Sequence, residues 1–152
     1  MSDLIVALEE QERRLVFDRF DNTDAWRLGC RLVELATERS LPVAVDIRRG
    51  VQQLFHAALP GSTADNDAWI VRKVRVVERF GASSFLVGRR LAGAGRELDA
   101  AAGVDPALFA AHGGAFPVRV RDVGVVGVVT VSGLPQADDH ALVVEAISAH
   151  LS

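Results

Sequence analysis

The chain has 152 residues and a mass of 16.3 kDa; 49% of its residues are hydrophobic and 24% are charged. This size and composition predict one globular domain over residues 1–152, because the chain is too short for two packed domains. The formal net charge of −3 argues against a nucleic-acid partner, which would require a basic face on the protein.

Two residue types that bear on function occur once each. Cys30 is the single cysteine, which excludes an internal disulfide and any zinc site built from cysteines. Lys73 is the single lysine among 17 basic residues. The N-terminal residues do not have the pattern of a signal peptide, and the apolar stretch at 123–131 is shorter than the roughly 18 residues that span a bilayer. These features predict a cytoplasmic protein with no membrane contact.

The first part of the chain predicts two amphipathic helices. Apolar residues recur at helical spacing over residues 2–14, with acids and arginines on the other side. A second helix is predicted to begin after Asp21, a good N-cap residue, and to end near Ser40. Its buried stripe is predicted to include Trp26 and Leu32.

Alternation of apolar and polar residues then predicts a β-hairpin, with strands at 42–47 and 51–58 joined by a turn at Gly50. A third helix is predicted to begin near Thr63 and to end near Phe80. A shorter helix is predicted to follow at 83–91.

The stretch 93–114 is rich in Ala and Gly and predicts a loop, with one short helix after Asp105 and Pro106. Residues 116–120 predict a strand with one wet face, and residues 125–131 predict a central strand that is apolar on both faces. A last helix is predicted at 136–151. Together these elements predict an α+β fold with an antiparallel sheet flanked by helices.

Lys73 is the first candidate for a functional residue. It lies one turn after Trp69 and shares an apolar helix face with Val76 and Val77, while Arg72 lies on the neighbouring face. A buried lysine has a depressed pKa, pairs with an acid or binds an anion. The alternative is that its stem covers the core and its ammonium group reaches water.

The second candidate is the segment HGGAFP at residues 112–117. Gly113 and Gly114 permit backbone conformations that direct N–H groups into a concavity suited to a carboxylate or a phosphate. His112 would serve there as a ligand, an acid or a base. The alternative is that the two glycines only turn the chain into the next strand.

The third candidate is the end of the central strand at Ser132 and Gly133. It precedes Asp138 and Asp139, whose carboxylates favour the N-terminal end of the last helix. Neighbouring helical residues point in different directions, so this cluster does not predict a metal site.

Four segments together carry a family resemblance: LPVAVD at 41–46, WIVRKV at 69–74, HGGAFP at 112–117 and VVGVVTVSGLPQADDH at 125–140. In this order they resemble the haem-degrading-domain family of HbpS-like and GlcG-like proteins. Within that family the chain is most similar to a cytosolic branch found in bacteria and fungi. The resemblance extends from about residue 15 to residue 151.

The resemblance implies a profilin-like α+β domain that assembles into a homo-oligomer, and it implies haem binding, which some members show. It also implies that Lys73 and the Gly113–Gly114 pair face one cavity, with Ser132 and Gly133 nearby. Together with the neighbouring residues of the same motifs, the predicted ligand-binding residues are Trp69, Arg72, Lys73, His112, Gly113, Gly114, Ser132 and Gly133.

The leading functional prediction is a homo-oligomer that binds haem or another anionic small molecule. The alternative is a non-enzymatic adaptor or assembly protein that binds other chains, in which Lys73 forms a salt bridge within or between subunits. A third hypothesis is an oxidoreductase or a lyase with His112 as acid or base. The sequence leaves open whether the protein is an enzyme.

Overall fold

The computed structural model describes residues 2–152, and within them helices lie on both faces of a four-stranded sheet. The α+β fold class predicted from the sequence is therefore confirmed. None of the helices in these residues is long and apolar enough to cross a membrane. The helices and strands are α1 (Asp3–Arg14), α2 (Asn22–Glu38), β1 (Ala44–Arg49), β2 (Gln52–Ala58), α3 (Ala64–Phe80), α4 (Ser84–Gly93), β3 (Ala115–Val120), β4 (Gly124–Ser132) and α5 (Gln136–Leu151).

The strand order is β2-β1-β4-β3, and every neighbouring pair is antiparallel. Strand β4 lies in the interior of the sheet, as its continuous run of valines predicts. Its last residue, Ser132, pairs with Ala44 at the start of β1. This end of the sheet is the place where α5 begins and where the candidate site lies.

The sheet is covered on both faces. Helices α2 and α5 pack on one face, and α3 packs on the other through Ile70, Val74 and Val77. Because α3 also covers part of β3, Pro117 is buried, and the prediction of one wet face for that strand is wrong. Helices α1 and α4 pack against each other beside α3.

The predicted start of α2 is confirmed. The Asp24 backbone N–H donates to the Asp21 side chain at 2.8 Å, and the Asp21 N–H donates to the Asp24 side chain at 3.0 Å. This reciprocal capping box satisfies N–H groups that have no partner within the helix. The predicted burial of Trp26 is wrong, since its side chain is 62% exposed. It lies beside the buried stripe of this helix, which contains Leu28 and Leu32.

The segment between α4 and β3 is mostly irregular. It contains one short 3-10 helix, Ala100–Ala102, which begins where the Asp99 side chain accepts the Ala102 N–H. The short helix predicted after Pro106 does not form, because the Asp105 side chain accepts the Ala107 N–H in a tight turn instead. The Arg72 guanidinium ties this segment to α3 by donating to the Pro106 carbonyl oxygen at 3.0 Å.

Candidate functional site

A buried ion pair joins α3 to α5 at the end of β4. The Lys73 ammonium nitrogen lies 3.1 Å from Asp139 Oδ2 and also donates to the Val131 carbonyl oxygen at 3.2 Å. Lys73 is 3% exposed and Asp139 is 1% exposed. The side chain is therefore enclosed by the protein and does not extend into bulk water, and of the alternatives for this lysine the structure shows pairing with an acid.

The chain reversal after β4 brings Asp139 to the lysine. Gly133 has a φ of +147°, and a Cβ atom there would contact the Pro42 carbonyl oxygen. Only glycine combines this conformation with so close an approach to the start of β1. After the turn, Asp139 Oδ1 accepts the Leu134 N–H at 3.0 Å, which fixes the carboxylate in place.

Gly114 makes room for the ammonium group. Its φ is +139°, and a Cβ atom at this residue would lie 2.7 Å from Lys73 Nζ and would also contact the Val131 carbonyl oxygen. Its carbonyl oxygen accepts the Val131 N–H at 3.0 Å, so its backbone closes the end of the sheet. Gly114 thus packs against Lys73 with its backbone buried, and it does not face the cavity as the family resemblance implies.

Burial acts on both members of the pair. Desolvation lowers the pKa of Lys73, and the neighbouring Asp139 carboxylate opposes that change. Desolvation likewise raises the pKa of Asp139, while the Lys73 ammonium and the Leu134 N–H oppose the change. Each group is therefore held in a charged form chiefly by its partner.

An open cavity of about 360 Å³ lies beside this pair, and we call it the Lys73 cavity. An ammonium group has three N–H donors, and Val131 and Asp139 occupy two of those of Lys73. One donor of Lys73 therefore has no acceptor within residues 2–152, and Lys73 is among the residues that line the cavity. The lining residues are Asp65, Asn66, Trp69, Lys73, His112, Ser132, Gly133, Leu134, Gln136 and Asp139.

Two aromatic side chains form one wall of the cavity. The rings of Trp69 and His112 lie 5.3 Å apart between centroids, and the Arg72 guanidinium lies 4.7 Å from the Trp69 ring centroid. Partial desolvation, followed by the positive charges of Lys73, Arg72 and Arg89, lowers the pKa of His112. Its imidazole is therefore neutral at pH 7, with a nitrogen lone pair available as an acceptor or ligand.

The structure separates the predicted site residues into two groups. Five of them line the cavity, namely Trp69, Lys73, His112, Ser132 and Gly133. The other three do not line it. Gly113 and Gly114 are buried behind it, and the Gly113 N–H already donates to the Gln136 side chain at 3.0 Å. Arg72 lies beyond Trp69 and lines a neighbouring cleft.

Asp139 is the member of the buried pair whose role the sequence does not reveal. Its position in the first turn of α5 is fully explained by the helix dipole, which conceals its second role. Its helical phase does indicate that it is buried. Asp139 precedes Leu142, Val143 and Ala146 by three, four and seven residues, so it lies on the same buried stripe of α5. Asp138 is outside that stripe and is exposed.

Two other observations concern alternative sites. Among residues 2–152, no three His, Cys, Asp or Glu side chains cluster in a way that could hold a metal ion. A larger open cavity of about 640 Å³ lies between α2 and the end of α5, near Trp26 and His150. It contains none of the predicted site residues and no buried ion pair, so the Lys73 cavity is the stronger candidate.

Comparisons with known proteins agree with this fold. A family model described as haem degrading protein HbpS-like matches residues 20–148. A UPF0303 protein of Streptomyces coelicolor is 65% identical over 143 residues, which are 94% of this chain and 90% of the relative.

Two solved structures are also similar. The crystal structure of the Ybr137w protein superposes with a TM-score of 0.87 at 33% identity, covering 95% of this chain and 86% of the other. The crystal structure of a PduOC:heme complex superposes with a TM-score of 0.72 at 18% identity, covering 86% of this chain and 94% of the other. This second similarity shows the fold alone.

Proposed function

The chain belongs to the HbpS-like haem degrading protein family, and we propose that it binds an anionic organic small molecule in the Lys73 cavity. The observation that carries this proposal is the third N–H donor of a buried ammonium group, which lines a cavity. The cavity volume of about 360 Å³ falls within the range typical of small-molecule sites, roughly 300–1,000 Å³.

The chemistry of the cavity favours a flat molecule with an acidic group. Trp69 and His112 offer aromatic surfaces on one wall, which suit a conjugated ring. Lys73 offers a charged hydrogen bond on the floor, and such bonds to carboxylates are stronger than neutral ones. Because Asp139 neutralises most of the lysine charge, the cavity offers the acidic group one directed hydrogen bond, and the Arg72 guanidinium behind Trp69 adds positive charge nearby.

Haem is the candidate ligand that the family suggests, and the residues present fit it. His112 has a neutral imidazole at the exposed rim, which suits iron coordination. Trp69 would pack against the ring, and the free Lys73 donor would bind one propionate. When bound, haem supplies a redox-active iron.

A spectroscopic titration tests the haem proposal. Haemin added to the purified full-length protein is expected to shift its Soret band, and His112→Ala and Trp69→Leu are expected to weaken binding about tenfold or more. His56→Ala is the matched control, because His56 is an exposed histidine on β2 that pairs with Asp67. Absence of a shift in the wild type, or equal binding by all variants, would refute haem as the ligand.

Native mass spectrometry tests the wider proposal without assuming haem. The full-length protein purified from cells is expected to carry a small acidic molecule that dissociates on unfolding. The double substitution Lys73→Met with Asp139→Asn removes both buried charges and is expected to reduce occupancy while preserving the fold. Equal occupancy in the wild type and the double variant would show that the molecule binds elsewhere.

A second proposal, self-association, is supported by the exposed edge of the sheet. Strand β2 lies at that edge, and exposed Trp26 contacts Phe55 of the same strand, with ring centroids 5.4 Å apart. Unpaired strand edges and exposed aromatic side chains are common features of protein interfaces. Light scattering is expected to find a homo-oligomer that dissociates on Trp26→Glu. A monomeric wild type would refute this proposal.

A further inference from the structure

A second cavity, about 350 Å³ in volume, lies on the other side of His112 between α3, α4 and the irregular segment before β3. We call it the arginine cleft, because Arg72, Arg89 and Arg96 line it together with a single acidic residue, Glu97. It shares His112 and Gln136 with the Lys73 cavity.

The three cleft arginines lack the ion pairs that neutralise many other arginines of the chain. Within residues 2–152, none of their guanidinium groups lies within 4.0 Å of a carboxylate, Glu97 included. The adjacent Arg90, by contrast, pairs with Glu9 at 2.8 Å. The cleft therefore has an excess of positive charge that the protein itself does not balance.

Two of these guanidinium groups also have unused donors. The Nε atoms of Arg72 and Arg89 are both buried, and neither has a hydrogen-bond partner among the described residues. Arg72 is held in place by its other donors, which reach the carbonyl oxygens of Pro106 and Phe109. Because these two Nε atoms are covered by the protein itself, a molecule in the cleft would be bound by the terminal guanidinium nitrogens. Those of Arg89 are not among the buried unpartnered atoms of the described residues, so they remain accessible as donors.

The backbone is built to form this cleft. Gly88 of α4 packs directly on the irregular segment, and a Cβ atom at that residue would contact the Ala111 carbonyl oxygen. The Ala110 N–H donates to the Arg72 carbonyl oxygen at 3.1 Å, which ties the same segment to α3. The walls are therefore fixed by close packing on both sides.

We propose that the arginine cleft binds a multiply charged oxyanion, either the phosphoryl groups of a small phosphorylated molecule or a cluster of carboxylates. Guanidinium groups match both chemistries, because their planar forks donate two parallel hydrogen bonds to oxygen pairs. Three cations against one carboxylate leave about two positive charges, so a dianion is a better match than a monoanion.

This inference goes beyond ligand binding at Lys73, since it assigns a second site with its own charged groups. The two sites meet at His112. Positive charge from Arg72 and Arg89 contributes to the lowered pKa of His112, after desolvation and Lys73. A bound dianion would offset that charge and raise the pKa of His112, a change that NMR titration of the imidazole can follow.

Calorimetric titration at constant ionic strength tests the proposal, with pyrophosphate and citrate as separate probes. Full-length wild-type protein is expected to bind at least one of them, and Arg89→Gln and Arg96→Gln are each expected to lose about tenfold in affinity or more. Arg31→Gln is the matched control, because Arg31 is an exposed arginine of α2, on the opposite face of the sheet. It is expected to change affinity less than about threefold.

The two probes identify the chemistry. Tighter binding of pyrophosphate assigns phosphoryl groups, and tighter binding of citrate assigns clustered carboxylates. The Lys73→Met and Asp139→Asn double variant is expected to bind the preferred probe like the wild type, which separates this site from the Lys73 cavity. Binding of neither probe, equal loss in Arg31→Gln, or unchanged affinity in Arg89→Gln would overturn the proposal.

Discussion

Breaking the Lys73–Asp139 pair is the sharpest test of the site geometry. Lys73→Met leaves a carboxylate that is 1% exposed without an opposite charge, held by backbone N–H groups such as that of Leu134 at 3.0 Å. Removing one partner of a buried ion pair costs about 3–5 kcal/mol, because the other charge stays buried and uncompensated. Asp139→Asn leaves the ammonium group with the Val131 carbonyl oxygen, and we expect a similar loss in the free energy of unfolding.

The double variant separates a charge effect from a packing effect. Lys73→Met combined with Asp139→Asn removes both charges and retains an acceptor for the Leu134 N–H. Its free energy of unfolding is expected to lie within about 1 kcal/mol of the wild type, since buried pairs contribute little net stability. Since the two single losses sum to about 6 kcal/mol or more, a double-mutant cycle should give a coupling energy of about 5 kcal/mol or more.

The pH dependence of Lys73→Met follows from the remaining carboxyl group. Burial raises the pKa of Asp139 above its ordinary 3.8, and loss of the lysine charge raises it further. A raised carboxyl pKa favours the folded state below about pH 4, and that contribution is lost as the pH rises through the folded-state pKa. The stability deficit of Lys73→Met is therefore smallest in acid and largest near neutral pH.

Urea unfolding followed by far-UV circular dichroism measures these differences at a fixed protein concentration. Arg39→Met is the matched control, because Arg39 forms a surface pair with Glu145 at 2.6 Å and should cost less than about 1 kcal/mol. A cost of that small size for Lys73→Met at neutral pH would refute the buried pair. A double variant as unstable as the sum of the two single variants would refute it as well.

Two further variants test neighbouring features of the fold. Gly114→Ala is expected to lower the free energy of unfolding by at least about 2 kcal/mol more than Gly124→Ala does. Both glycines have a positive φ, but only a Cβ atom at residue 114 contacts Lys73. Equal melting temperatures of the two variants would contradict this. Burial lowers the pKa of His140 to about 4, so the free energy of unfolding should fall by about 3 kcal/mol as the pH drops from 6.5 to 4. Urea unfolding of His140→Leu should not show this fall. Parallel pH profiles of the wild type and His140→Leu would exclude the contribution of His140.

The order of helices and strands was predictable because local signals and the global fold agree. The capping residue Asp21 fixes the start of α2, and the valine run of β4 marks an interior strand. The two errors of burial have a shared cause. Hydrophobicity predicts that Trp26 is buried, and alternation predicts that Pro117 is exposed. Their actual burial depends on which helix covers which face of the sheet. That arrangement is a property of the tertiary structure.

Only one member of the buried ion pair, Lys73, was predictable from the sequence. The helical phase of Lys73 places its stem on an apolar face, and this is visible in the sequence. Its partner Asp139 is 66 residues away, and no local spacing relates the two. The lysine was therefore a candidate for anion binding, whereas the structure shows that a carboxylate of the same chain already occupies part of its hydrogen-bonding capacity.

This internal carboxylate changes which ligands the Lys73 cavity can select. A free buried ammonium group would attract any anion, but one paired with Asp139 offers a single directed hydrogen bond and little net charge. Discrimination must then come from the shape and aromatic surface of Trp69 and His112, while the unbalanced charge lies in the arginine cleft. A molecule with a flat ring system and a single acidic group therefore suits the Lys73 cavity. A multiply charged oxyanion suits the arginine cleft, and His112 lines both cavities.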